Sequence, residues 1–169
     1  EAWGRENAWV KSYLLGEFPE TSFNSLLSVD EVQAAMGRHL GRDAYEWSQK
    51  RLGVDVARYG DDKSVVFPRQ GLASFKPVVL RQANTTQVAA RVARAVADWN
   101  AELTLVDDTG GYGGGVVDAL VMAGISVLPV NASSAAPDPR YLNLRSYCWH
   151  EMAAWVKRGG ALPNIPELV

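Results

Sequence analysis

The chain has 169 residues, 47% of them hydrophobic and 21% charged, which is ordinary for one globular domain with a core of usual size. No apolar run approaches the ~20 residues of a membrane span, and the single Cys148 excludes an internal disulfide and, without a His/Cys cluster, disfavours a zinc site. Residues 1–50 carry 5 Lys/Arg against 8 Asp/Glu and residues 51–169 carry 12 against 11, so charge neither supports nor excludes a nucleic-acid partner.

The first fifty residues show little periodicity beyond one short helix. Ser28 and Glu31 form a capping box, which predicts a helix that ends by Gly37 or Gly41. We therefore expect residues 1–50 to be a linker or arm and residues 51–169 to be the domain proper. The chain opens without a methionine, and we expect it to be a fragment of a longer polypeptide.

Three short apolar segments follow, separated by tight polar or glycine-containing turns. They cover residues 52–57, 64–67 and 78–80, and Pro68 is expected to close the second of them. Short strands joined by turns are usually antiparallel neighbours.

The second half alternates between helix and strand. Residues 85–100 have helical spacing, 103–106 form an unbroken apolar strand, and a glycine-rich turn opens a helix that ends at Gly124. A strand at 125–130 and a long helix at 140–158 complete the pattern. The predicted fold is α/β, with a mixed sheet of three antiparallel strands followed by two parallel strands and helices on both faces. Crossover rules place the fourth strand beside the first and the fifth outside it.

Asp55 and Asp107 are the candidate catalytic and metal-binding residues. Each lies in or at the end of a predicted central strand, and the carboxyl ends of such strands share one crevice. Asp55 alone could face solvent, and Asp107 alone could cap the following turn. As a pair on neighbouring strands they favour a site for hard divalent cations, and a metal-dependent nuclease.

Other polar residues near these strands are predicted to have structural roles and not catalytic ones. Alternation turns Asp108 away from Asp107, so it is read as a turn residue. Asp61 and Asp62 are read as a solvated turn, with an outer-shell role left open. The glycines at 110–115 fit neither a Walker loop nor a dinucleotide fingerprint, and predict a close-packed turn near the metal site. His39 and His150 have no partner at ligand spacing and are not needed for chemistry. Four basic residues of the last helix could contact phosphates or lie on a solvated face: Arg140, Arg145, Lys157 and Arg158.

At these residues the chain resembles the nuclease domain of the large terminase subunit of tailed bacteriophages. The resemblance rests on Gly-Val-Asp-Val-Ala-Arg-Tyr-Gly-Asp-Asp-Lys-Ser at 53–64 and Val-Asp-Asp-Thr-Gly-Gly-Tyr-Gly at 106–113. Tyr-Leu-Asn-Leu-Arg at 141–145 and Leu-Pro at 162–163 also fit, and Leu-Gly-Glu-Phe-Pro at 15–19 is similar to the segment that joins the family's motor to its nuclease.

The resemblance implies an RNase H-like fold, two Mg²⁺ or Mn²⁺ ions, and cutting of concatemeric double-stranded phage DNA during genome packaging in the host cytoplasm. Asp55 and Asp107 match the family's first two catalytic acids. Position 56 is Val where the family usually has Pro, and the family's third acid, in a later Ser-Pro-Asp-like motif, has no counterpart before Val169. The domain is therefore expected to be truncated at its C-terminus. The implied partners are the small terminase subunit and the portal protein, with no membrane, and the absence of the Walker-bearing motor implies no ATP hydrolysis.

The expected mechanism is two-metal hydrolysis of a phosphodiester, with Asp55 bridging both ions and Asp107 holding one. Sequence preference is expected to be weak, because phosphate contacts position DNA without specifying it. Two alternatives stay open. One is another RNase H-like nuclease, such as a Holliday-junction resolvase, and the other is a non-catalytic nucleotide-binding or assembly domain.

Overall fold

The computed structural model describes residues 25–57 and 62–166. Residues 1–24 of the expected arm therefore lie outside the described part, as do residues 58–61, which include Asp61, and residues 167–169. The described elements are α1 (Val29–Met36), β1 (Lys50–Asp55), β2 (Lys63–Gln70), β3 (Ala73–Ser74), β4 (Val78–Arg81), α2 (Thr85–Trp99), β5 (Leu103–Asp107), α3 (Gly114–Met122), β6 (Val127–Val130) and α4 (Leu144–Lys157), with one-turn 3-10 helices at Arg42–Ala44 and Thr109–Gly111.

The strands form one mixed sheet in the order β3-β2-β1-β5-β6, and β4 lies beside β2 on the same side as β3. β2 is antiparallel to β1, β3 and β4, whereas β1, β5 and β6 are mutually parallel. The predicted mixed sheet is confirmed, including the placement of β5 beside β1 and β6 outside it. The sequence did not reveal β3, which has only two residues.

Several predicted boundaries are wrong. β1 ends at Asp55 and not at residue 57, and β6 begins at Val127 and not at residue 125. Pro68 does not close β2, which continues to Gln70, because Pro68 lies between the stretch of β2 paired with β4 and the stretch paired with β3. A proline without an N–H donor is tolerated at such a gap in the ladder. α4 does not include Arg140; it begins at Leu144, because the side chain of Asn143 caps it by accepting from the Ser146 amide at 3.0 Å.

Helices cover both faces of the sheet. On one face, buried side chains of the central strands pack against α2 and α3 in a single apolar cluster: Leu52, Val54, Val66, Val88, Ala89, Val92, Val106, Val116 and Leu120. Each large side chain fully buried there contributes roughly 1.5–3 kcal/mol. On the other face, α1 and α4 flank the alternate side chains of β2, Phe67 and Arg69.

The predicted capping box of α1 is confirmed, since the Ser28 hydroxyl accepts from the Glu31 amide at 3.1 Å and the Glu31 carboxylate accepts from the Ser28 amide at 2.8 Å. The Arg38 guanidinium donates to the carbonyls of Val156 and Gly160, at 2.6 and 2.7 Å, just beyond α1. Residues 28–38 are thus attached to the domain. The assignment of residues 1–50 to a linker from a preceding domain stays a prediction.

Among the described residues, no helix is both long enough and apolar enough to cross a membrane.

Candidate active site

Asp55 and Asp107 are the last residues of the adjacent parallel strands β1 and β5, and they lie at the same end of these strands. Val54 and Val106 are register partners in β1 and β5, and both are buried in the α2–α3 core. Asp55 and Asp107 directly follow these two valines, so they are also neighbours, but they face the opposite side of the sheet because side chains alternate along a strand. Neighbouring strands are about 4.8 Å apart. The structure therefore brings the two predicted site residues together on the face that carries α4.

The charge balance around this pair is negative. Partial desolvation by the surrounding protein raises the pKa of the Asp55 carboxyl above its ordinary value, although the side chain is exposed, and the negative charges of Asp107 and Asp62 raise that pKa further. No basic side chain offsets these effects among the described residues. Crowded carboxylates without a counter-charge disfavour their own ionised forms, and a bound cation would remove that penalty. Asp62, read from the sequence as a solvated turn residue, is indeed exposed, yet its charge reaches Asp55.

Asp107 both caps the next turn and keeps part of its carboxylate available. Its Oδ1 accepts hydrogen bonds from the Thr109 amide at 2.8 Å and from the Thr109 hydroxyl at 2.6 Å. The described residues donate no hydrogen bond to its Oδ2. The turn-capping interpretation and the ligand interpretation are therefore compatible, since each uses a different oxygen.

Thr109 is a site residue that sequence reasoning missed. Its hydroxyl also accepts from the Ala132 amide at 2.9 Å, which joins the end of β5 to the loop after β6. The available signal was the spacing Asp-x-Thr directly after a strand, which is typical of a side chain that bonds the backbone two residues on.

The glycine-rich turn packs tightly under Asp107, as predicted. Gly110 and Gly111 have φ of 77° and 81°, in the left-handed region that glycine tolerates. A Cβ at Gly113 would collide with the Asp107 carbonyl oxygen and lie 2.9 Å from the Asp107 carbonyl carbon. Glycine at 113 therefore lets the start of α3 approach the end of β5.

Asp108 begins the one-turn helix at Thr109–Gly111 through its carbonyl, which accepts from the Gly111 amide at 3.1 Å. This fits the predicted turn role. Its carboxylate Oδ1 is buried and has no hydrogen-bond partner within the described ranges.

Few side chains of the described structure are placed to bind a metal ion at this site. In the described part of the chain, no group of three or more His, Cys, Asp or Glu side chains is placed to hold a metal ion. Two carboxylates still suit Mg²⁺, which keeps several waters and commonly binds one or two protein carboxylates together with substrate phosphates. His150 packs its ring against Tyr141 at 5.0 Å, away from any ligand set.

The sheet order, the strand directions and the helices on both faces define an RNase H-like α/β fold, as predicted. The sequence matches no protein-family model and no curated protein.

The same fold is found in the nuclease domains of phage large terminases. The domain from thermophilic phage G20c, in a structure with bound magnesium, superposes with a TM-score of 0.65 at 18% identity, covering 87% of this chain and 78% of that one. The nuclease domain of the large terminase subunit of bacterial virus Sf6, in a variant with manganese, gives a TM-score of 0.61 at 15% identity, covering 80% and 65%. In another structure of the phage G20c domain the chain spans 61% of the domain's length. The predicted resemblance is thus confirmed at the level of the fold.

Proposed function

We propose that this chain is the metal-dependent endonuclease domain of a phage DNA-packaging terminase, and that it cuts concatemeric double-stranded DNA. The observation that carries the proposal is the pair of acids Asp55 and Asp107 at the ends of the adjacent parallel strands β1 and β5, with no basic side chain of the described structure lowering the pKa of Asp55. The fold shared with terminase nuclease domains of known structure supports this choice among RNase H-like enzymes.

Asp55 and Asp107 would hold two Mg²⁺ or Mn²⁺ ions, consistent with the metals bound by the similar domains. When bound, such ions lower the pKa of a water and stabilise the leaving oxygen of a phosphodiester. Asp107 would present Oδ2 to the metal while Thr109 holds Oδ1 in place. The Asp55 side chain is exposed and its carboxylate has no hydrogen bond in the described structure, so it is free to turn toward a shared ligand.

The small terminase subunit and the portal protein would be the partners of the full-length protein, in the host cytoplasm during virion assembly. The alternative of a non-catalytic assembly domain rests on the absence of a third acidic ligand among the described residues. The resolvase alternative has no specific observation in its favour.

The test is Mn²⁺-dependent nicking of supercoiled plasmid by the wild type and by Asp55→Asn and Asp107→Asn. We expect both variants to lose activity while keeping their fold. Asp118→Asn is the matched control, because Asp118 is an exposed acid on α3 outside this face. Nicking that persists in both variants would refute the catalytic role of the two acids. Nicking that is absent from the wild type, even when the chain is extended toward its C-terminus, would favour the non-catalytic assembly domain.

A further inference from the structure

A second feature of the same face is a groove between α4 and the ends of β5 and β6, with a volume of about 640 Å³. We call it the α4 groove. It is lined by Asp107, Val130, Ala132, Leu144, Arg145, Cys148, Trp149 and Met152. Because Asp107 forms part of its wall, whatever occupies the groove lies next to the proposed metal site.

Three consecutive hydrogen bonds connect the backbone of Arg145 to the Asp107 carboxylate. The Thr109 hydroxyl donates to Asp107, the Ala132 amide donates to the Thr109 hydroxyl at 2.9 Å, and the Arg145 amide donates to the Ala132 carbonyl at 2.9 Å. The first turn of α4 is therefore attached to the loop that orients the acid. Arg145 occupies a set position beside the site.

The amide end of α4 is not available to bind an anion. The Leu144 amide donates to the Ser134 carbonyl at 2.8 Å, the Arg145 amide to Ala132, and the Ser146 amide to the Asn143 side chain at 3.0 Å. A helix N-terminus attracts phosphate through free amides, and these amides are already bonded. Any phosphate in the α4 groove must be bound by the Arg145 side chain.

The Arg145 side chain is exposed and has no ion-pair or hydrogen-bond partner among the described residues. The two basic residues at the other end of α4 differ, since Lys157 lies 3.8 Å from Glu31 and Arg158 lies 4.0 Å from Glu151. An unpaired guanidinium beside an acidic site suits bidentate binding of a phosphate.

Trp149 lies one helical turn after Arg145 and forms the groove's aromatic wall. It is 56% exposed, which is unusual for so large an apolar side chain. Base–aromatic stacking is the common way in which an exposed indole binds a single nucleic-acid strand. A base inside an intact duplex cannot stack on it, because both faces of the base are already covered.

We propose that the α4 groove binds a locally unpaired nucleotide of the DNA next to the scissile phosphate. Arg145 contacts a backbone phosphate and Trp149 stacks on the unpaired base. The inference rests on the proposed nuclease function and refines its substrate, from any duplex to duplex DNA with an unpaired stretch.

Two further basic residues of the described structure lie at this end of the strands, and they support a path for DNA across the acid pair. β4 runs parallel to β1, so its last residue, Arg81, lies at the same edge as Asp55, and Lys63 is its register partner in β2. Neither side chain has an ion-pair partner in the described structure. Arg81 and Lys63 lie on one side of the acid pair and Arg145 on the other.

The first test measures DNA binding in EDTA, so that it does not depend on cutting. We expect wild-type protein to bind a labelled duplex carrying a single-stranded gap more tightly than an intact duplex of the same length. Trp149→Ala should weaken binding to the gapped DNA by at least about 5-fold and should remove the preference. Arg145→Ala should weaken binding to both DNAs, with partial recovery in Arg145→Lys, which keeps the charge.

Matched control residues lie at the opposite end of the strands from Asp55 and Asp107. Trp47 is 78% exposed and precedes β1, and Lys76 is exposed and precedes β4. Trp47→Ala and Lys76→Ala remove an equivalent ring and an equivalent charge, and we expect both to bind DNA like the wild type. Thermal melting of each variant separates a lost contact from a lost fold.

Cys148 provides an independent readout, since it is the only cysteine of the chain and lines the α4 groove. We expect gapped DNA in EDTA to slow alkylation of Cys148, and Trp149→Ala to abolish that protection.

The groove proposal is wrong if gapped DNA leaves Cys148 alkylation unchanged, or if Trp149→Ala and Arg145→Ala bind gapped DNA like their controls. The nuclease proposal has a different failure, namely groove-dependent binding in EDTA without any Mn²⁺-dependent nicking. The two outcomes are therefore distinguishable.

Discussion

Gly113→Ala is the substitution whose effect follows most directly from the structure. Gly113 has an ordinary helical backbone, with φ −79° and ψ −17°, so alanine causes no conformational strain there. Its Cβ would collide with the Asp107 carbonyl oxygen and would lie 2.9 Å from the Asp107 carbonyl carbon and 3.0 Å from Val106 Cγ1. Because carbon atoms pack best at about 3.5–4.0 Å, the end of β5 must retreat by roughly 0.5–1 Å.

Two consequences are expected. Overpacking of this kind costs about 1–3 kcal/mol of unfolding free energy, which for a chain of this size lowers the melting temperature by roughly 2–12 °C. Displacing Asp107 by up to about 1 Å should also slow Mn²⁺-dependent nicking by as much as about 100-fold. Differential scanning fluorimetry in EDTA measures the first effect, and the initial rate of plasmid nicking measures the second.

Neighbouring glycines supply the controls. A Cβ at Gly114 would meet only the Asp108 Oδ1 at 3.6 Å, an ordinary contact, so Gly114→Ala should leave both readouts near the wild type. Gly111 has φ +81° and open space around its Cβ position, so Gly111→Ala should cost about 1–2 kcal/mol of strain without moving Asp107. The reasoning is refuted if Gly113→Ala melts and nicks like the wild type, or if Gly114→Ala is equally damaging.

Two further substitutions probe the acid pair. The folded-state pKa of Asp55 is raised, so the folded protein retains the Asp55 proton more strongly than the unfolded chain, and stability falls as pH rises through that pKa. Asp55→Asn should therefore raise the melting temperature in EDTA at neutral pH, and this increase should become smaller toward acid pH. It should disappear when Mg²⁺ stabilises the wild type. An increase in melting temperature that grows on acidification would contradict the raised pKa of Asp55. Thr109→Val removes the hydroxyl that donates to Asp107 and leaves the Ala132 amide without its acceptor, which should lower the free energy of unfolding by about 1–3 kcal/mol and slow nicking. Thr109→Ser keeps the hydroxyl, so its stability and nicking rate should stay close to those of the wild type. Equal nicking rates in the Val and Ser variants would contradict an orienting role for Thr109.

The sheet could be predicted from the sequence because its determinants are local. The apolar run at 103–106 and the alternation around Asp55 are readable residue by residue, and crossover rules then leave few orders for the strands. The start of α4 was missed because the predicted helix was extended back to Arg140, although its apolar face begins at Leu144, directly after the Asn143 cap.

The candidate site was only partly readable. The proximity of Asp55 and Asp107 follows from strand order, whereas the hydrogen bonds of Thr109 and the effect of the Asp62 charge on Asp55 depend on side-chain positions that the strand pattern does not fix. Turn geometry depends on a few backbone angles that a residue pattern constrains weakly.

The sequence by itself determined the order of strands, the acids that end two of them and the requirement for glycine after the second, because alternation, capping and backbone freedom are properties of neighbouring residues. Only the tertiary structure decided that α4 faces those acids, that Arg145 is attached through Ala132 and Thr109 to Asp107, and that Trp149 is left exposed beside them. These relations connect β5, the loop after β6 and α4, which are separate segments of the chain, and they depend on which surfaces meet when the helices pack against the sheet.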